Sequence, residues 1–217
     1  MQGLMFFLRM KLDFIQTFYD KSVSPFAATI RQIETHDRPF DVWDGDPKCA
    51  EEPFFDEWMN AYDSIATIGA CCLCLVHDTL KQFSEELIRK SGQTPPAGKG
   101  PWTERYIGFF KSKYNIDWSA ASVDLRLLEQ LVLARNDLQH SGTLLANHVL
   151  QGRDHKRKVG SSMFIERTPP GDTIFVNKQT LTAAIEFVDG LCKFLISQSP
   201  FKRFATDYVR PSVLTEE

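Results

Sequence analysis

The chain has 217 residues, of which 43% are hydrophobic and 17 are phenylalanine. That supply suits a packed interior and excludes an intrinsically disordered chain. The formal net charge of -3 excludes a generic nucleic-acid coating protein, so any contact with nucleic acid must be confined to a patch.

Residues 4–34 read as a helix, with Leu4, Leu8, Leu12, Ile15 and Tyr19 near helical spacing. Ser24-Pro25 is expected to kink it or start a new helix, because proline disfavours helical geometry in its predecessor. Residues 38–53 hold three prolines, a glycine and several acids without a period, and read as a loop. Residues 54–90 form one long helix, apolar nearly all round in its middle, and should be the central buried element. Ser91-Gly92 stops it. The apolar run 65–76 is too short to span a bilayer, and residues 1–10 lack the pattern of a signal peptide. The expectation is a cytoplasmic protein with no membrane contact. Cys71, Cys72 and Cys74 fall in that run, with Cys49 and Cys192 far away. We expect reduced thiols acting as small buried hydrophobes. Cys71-x-x-Cys74 lacks a second pair to complete a zinc site, and no metal is assigned.

Residues 91–101 are a proline- and glycine-rich loop. Gly92 and Gly98-Lys99 are separated by five residues rather than four, and Gly100 follows the lysine, so a phosphate-binding loop is rejected. Residues 102–114 form a short aromatic helix. Trp102, Tyr106, Phe109, Phe110 and Tyr114 have the spacing of core residues, although aromatic side chains can also stack on bases. A turn covers 117–122, and a further helix runs from 123 to 140, closed by Ser141-Gly142. Residues 152–160 are polar and basic. Residues 163–167 and 173–176 are strand-like around Pro169-Pro170-Gly171, predicting a β-hairpin. Asn177 can cap a last helix over 178–199, and 200–217 is a tail, partly ordered at best. The reading is a mainly α helical bundle with a small β-hairpin inserted before its last helix. Its parts are an N-terminal helical extension and loop (1–52), a helical domain (53–199) and the tail (200–217).

The helix over 123–140 carries the candidate chemistry. At about 100° per residue, Val123, Leu127, Leu128, Leu131, Ala134 and Leu138 share one face, extended by Leu125 and Val132. Arg135 and Asp124 fall inside that face. An arginine cannot lose its proton. Placed there, Arg135 must pair with an acid, reach a wet cleft or face a partner. Asn136 and His140 project together, off the stripe, on the side of Leu133. Helix-end carbonyls favour a charged His140. On the wheel Arg135 and His140 differ by about 140°, a gap that a long arginine can span. Together they suit phosphodiester cleavage: the cation steadies phosphoryl oxygens and the imidazole moves the proton of a ribose 2′-hydroxyl or of the leaving oxygen. The same residues also suit a plain structural role, with Arg135 on a buried acid and His140 as a C-terminal cap.

Arg135-Asn136, three residues and then His140 resembles the Arg-x(four to six)-His signature of the HEPN superfamily, which often has Asn directly after the arginine. The likeness covers about residues 54–199. It implies a helical bundle of HEPN type and a homodimer in which paired motifs form a cleft between subunits. It implies a metal-independent endoribonuclease of toxin, abortive-infection or other antiviral defence systems, needing no cofactor. Arg135 and His140 would be the catalytic pair and Asn136 their polar support. An antitoxin or regulatory protein would be a further partner. Other members lack nuclease activity, so a non-catalytic helical module binding a protein or nucleotide is the second reading. Arg153, Lys156, Arg157 and Lys158 form a basic cluster soon after the motif, suited to phosphate contacts with RNA and equally to a solvated loop.

Overall fold

A computed structural model describes residues 3–41, 53–98, 101–140, 163–168 and 171–204, with backbone alone at 140, 167, 168, 171 and 172. The described residues form five α-helices and one two-stranded antiparallel hairpin that precedes the last helix.

Helix α1 spans Leu4–Glu34 and buries Met5, Leu8, Leu12, Ile15 and Tyr19 along one face. Pro25 lies inside this helix, so of the two expected outcomes it does not start a new one. The proline is exposed, so its ring displaces no packed neighbour, and beyond it Ile33 still reaches the core. The Thr29 hydroxyl donates to the Pro25 carbonyl at 3.1 Å. Anchoring on both sides of the proline outweighs the one backbone bond it removes.

Helix α2 spans Phe55–Lys90. Asp56 and Glu57 sit in its first turn and Arg89 and Lys90 in its last, each sign matched to the helix dipole. Its end is a Schellman motif. Gly92 takes φ +80°; its N–H donates to the Arg89 carbonyl at 2.9 Å, and the Gln93 N–H donates to that of Ile88 at 3.2 Å. By length and composition α2 would pass for a bilayer span, with mean hydropathy 1.4 over its best window. The same stretch supplies Cys72, Leu73, Val76 and Leu80 to the core, as a central helix does. Two of its thiols depart from expectation: Cys71 is exposed and Cys74 half-buried, while Cys72 and Cys192 are buried. Three cysteines within four positions cannot all face one side of a helix.

Helix α3 spans Trp102–Tyr114 and buries Tyr106 and Phe110. A short 3-10 turn follows at Trp118–Ala120, and α4 covers Leu125–His140. Strands β1 (Ile165–Thr168) and β2 (Gly171–Ile174) pair Ile165 with Ile174 and Thr168 with Gly171. Phe164, Ile174 and Val176 are buried, whereas Phe175 stacks on Tyr62 of α2 at 5.1 Å. Helix α5 spans Lys178–Ser197. Asn177 caps it as expected: its side chain accepts from the Thr180 N–H at 2.9 Å, and its own N–H donates to the Thr180 hydroxyl at 3.2 Å. Beyond α5, Phe201 is fully buried against Tyr114, ring centres 4.7 Å apart. The chain segment after α5 is thus tied down at least to the 3-10 turn Lys202–Phe204.

Helix α2 packs against α1, α4 and α5, and α1 also packs on α5. The α1 side chains belong to the same hydrophobic cluster as those of α2, α4 and α5.

Candidate functional site

Helix α4 is buried more completely than a single stripe requires. Leu128, Leu131 and Ala134 face the core as expected, and Val132 and Leu133 are buried as well. Four consecutive buried residues, 131 to 134, mean that this turn is enclosed on most sides. The polar run begins immediately after them.

Arg135 and Asn136 are half-buried and Asp137 is completely so. The Arg135 Nη1 donates to the Asn136 Oδ1 at 3.2 Å. The Arg135 Nε is buried and has no hydrogen-bond partner among the described residues. A buried donor left in that state costs roughly 1–3 kcal/mol, which a bound acceptor would recover. His140 is the last residue of α4; its side chain lies outside the described residues. Arg153, Lys156, Arg157 and Lys158 lie outside them too.

Asp124 does not join the buried face. It is exposed and caps α4: its Oδ1 accepts from the Arg126 N–H at 2.9 Å, and its carboxylate pairs with the Arg126 guanidinium at 2.8 Å. The helix starts two residues later than the periodicity suggests, and a short carboxylate at that boundary serves the free N–H groups. Those two bonds hold the Asp124 carboxyl below its usual pKa.

Helix α2 contributes residues that the motif alone does not reveal. His77 is buried, with 5% of its side chain exposed, and its Nδ1 lies 3.1 Å from the Asp78 Oδ1. The ring also meets Trp102 of α3 edge-on, at 5.6 Å. Burial pushes the His77 pKa below its ordinary value; the bond to Asp78 opposes this, and the positive charge of Arg135 adds to it. The imidazole is therefore neutral at neutral pH. An ionised carboxylate only accepts, so Nδ1 donates to Asp78 and Nε2 keeps its lone pair. Cys74, one helical turn earlier, also senses the Arg135 charge and bonds to Gln139; burial nevertheless raises its pKa. The α2–α4 contact thus groups a fixed cation, an amide, a neutral imidazole and a thiol. That set can hold an anionic oxygen and can accept a proton near it.

The wheel carries a signal for one of the missed residues. Asp137 falls about 60° from Ala134 and about 40° from Leu133, between two residues that are both buried. His77 offers no such signal, because its neighbourhood to Arg135 is made by the packing of α2 on α4. Among the described residues, no three His, Cys, Asp or Glu side chains group as metal ligands. Comparison with known proteins finds no matching family model, no similar curated protein and no similar solved structure.

Proposed function

We propose that the chain is a metal-independent endoribonuclease of the HEPN type, acting as a homodimer in a toxin or defence setting. The observation that carries this reading is the Arg135 guanidinium. It is half-buried and braced by Asn136, and its Nε has no partner among the described residues, on the helix that ends at His140. In the proposed reaction the ribose 2′-oxygen attacks phosphorus and the bond from phosphorus to the 5′-oxygen breaks. His140 takes the 2′-hydroxyl proton, and a proton is returned to the leaving oxygen. Arg135 stabilises charge on the non-bridging oxygens, and Asn136 keeps its head in place. Arg153, Lys156, Arg157 and Lys158 hold the flanking RNA backbone. The products are a 2′,3′-cyclic phosphate and a 5′-hydroxyl.

The test is incubation of the pure protein with RNA in the presence of a chelator, beside Arg135→Ala and His140→Ala. The proposal expects cleavage by the wild type and its loss in both variants. Complete burial of Asp137 next to Arg135 favours a second reading, in which the polar run serves structure and the domain binds a partner without cutting. That reading expects no cleavage by the wild type and a stable complex with a protein or nucleotide.

A further inference from the structure

The end of α1 and the start of α2 frame an open cavity of about 690 Å³, whose lining includes Ile33, Glu34, His36, Phe54, Phe55 and Trp58. Its three aromatic residues all keep surface open: Phe54 and Trp58 are half-buried and Phe55 is 50% exposed. Tyr62 stacks on the Trp58 indole at 5.3 Å, within 11° of parallel, but does not line the cavity. The side of the indole that meets the cavity is therefore the one turned away from Tyr62. The indole N–H donates to the Glu34 Oε1 at 3.3 Å, which holds a carboxylate at the edge of the ring. Phe54 takes φ +61° at the N-cap of α2, a position where extended backbone is usual and a left-handed bulky residue is an outlier. Its ring is held edge-on by Phe40, centres 5.0 Å apart. Backbone kept in such a conformation is a recurrent feature of ligand clamps.

We infer that this cavity binds a small organic cation of the quaternary-ammonium class. Aromatic faces attract a cation through their quadrupole, tryptophan best of all, and a carboxylate beside them adds a full opposite charge. Among the described residues the Glu34 carboxylate accepts only the indole bond, so it is free to face a bound charge. The surroundings have the same sign. Asp37, Asp56 and Glu57 are exposed next to lining residues, and the nearby Arg38 is engaged with Asp41 at 3.4 Å. Such a field draws cations and repels phosphate groups. The donor inventory narrows the class further. An ammonium or a guanidinium brings three to five N–H groups that each need an acceptor, whereas the lining offers aromatic rings and one carboxylate. A quaternary ammonium has no N–H to satisfy, and its methyl groups pack on the rings while its charge stays near Glu34. The volume suits a small molecule.

This site does not rest on the nuclease reading and shares no residue with the Arg135 cluster. The test is calorimetric titration of the full chain with choline and with its neutral isostere 3,3-dimethylbutan-1-ol, which has the same shape without the charge. Glu34→Gln and Phe55→Leu are titrated in parallel, each checked for unchanged circular dichroism. Both positions are exposed, so the fold should survive, and glutamine keeps an acceptor for the indole. The inference expects saturable choline binding with a dissociation constant below about 10 mM. It expects binding at least roughly 10-fold weaker for the isostere and for Glu34→Gln, and several-fold weaker for Phe55→Leu, the scale of one ionic or cation–π contact. An isostere that binds as tightly as choline overturns it, because the cavity would then read shape alone. So does choline binding that neither substitution changes, or a wild type that shows no saturable binding in that range. RNA cleavage, measured separately, reports on the nuclease reading alone.

Discussion

Gly69, in the middle of α2, is the position where the packing argument is sharpest. A Cβ added there would lie 2.3 Å from the Val176 carbonyl oxygen and 3.0 Å from the Val176 Cβ. Ordinary contact needs about 1 Å more, and forcing that much movement into a packed core costs roughly 1–3 kcal/mol. Val176 is poorly placed to retreat. It is fully buried, its carbonyl accepts from the Tyr19 hydroxyl at 3.3 Å, and the next residue is the Asn177 cap of α5. Losing the Tyr19 bond in a buried setting adds about 1–2 kcal/mol. Against this, alanine in a helix interior gains about 1 kcal/mol over glycine. Gly69→Ala should thus destabilise by about 2 kcal/mol, or roughly 4–8 °C in Tm for a chain of this size. Urea unfolding measures it as a lower midpoint at unchanged slope. Gly190→Ala is the control: its Cβ would meet only the Val123 Cγ1, at 3.1 Å, a side-chain methyl that can turn away, so stability should hardly fall. A Gly69→Ala midpoint equal to or above the wild type would refute the claim that α2 and the hairpin are in backbone contact there.

Asn177→Ala removes the side-chain acceptor of the Thr180 N–H and should cost about 1 kcal/mol, read as a lower urea midpoint; equal midpoints would mean that this side-chain cap contributes nothing. His77 links stability to pH. Its folded pKa is depressed, so its contribution is fully present above the unfolded value of about 6.5 and is lost as pH falls through the folded value. His77→Gln should flatten the stability profile in that window, and an unchanged profile would remove His77 as its source. Cys71 is exposed whereas Cys72 and Cys192 are buried, with the Cys72 pKa pushed up to about 11 by burial. Alkylation of the native protein followed by peptide mapping should therefore label Cys71 well ahead of these two; equal labelling would contradict their burial.

The elements most legible in the sequence are those whose ends carry their own chemistry. Ser91-Gly92 and Asn177 announce the end of α2 and the start of α5, and both signals are met by local backbone bonds. The hairpin follows from its alternation and from the Pro169-Pro170-Gly171 turn. Less legible were features decided by distant packing. Pro25 reads locally as a kink or a new helix start, and contacts on both sides carry α1 through it. Asp124 reads as buried because the wheel extends the helix over it, whereas it stands at the boundary as a cap. Arg135 is visible as a charge on an apolar face. The groups that define its surroundings, His77 and Cys74, come from a helix some sixty residues earlier, and no spacing rule connects them. Asp137 is within reach of the wheel, because it falls between the buried Ala134 and Leu133.

The central claim concerns Arg135 and His140, and the most direct measurement follows RNA ends. Purified wild type, Arg135→Ala and His140→Ala are each incubated with labelled RNA in excess chelator, and the products are analysed for cyclic phosphate. The account predicts 2′,3′-cyclic phosphate ends from the wild type, with the rate falling by about 100-fold or more in each folded variant, the scale of one lost acid–base or oxyanion group. Cleavage that persists undiminished in both variants would contradict it, as would a wild type that leaves RNA intact.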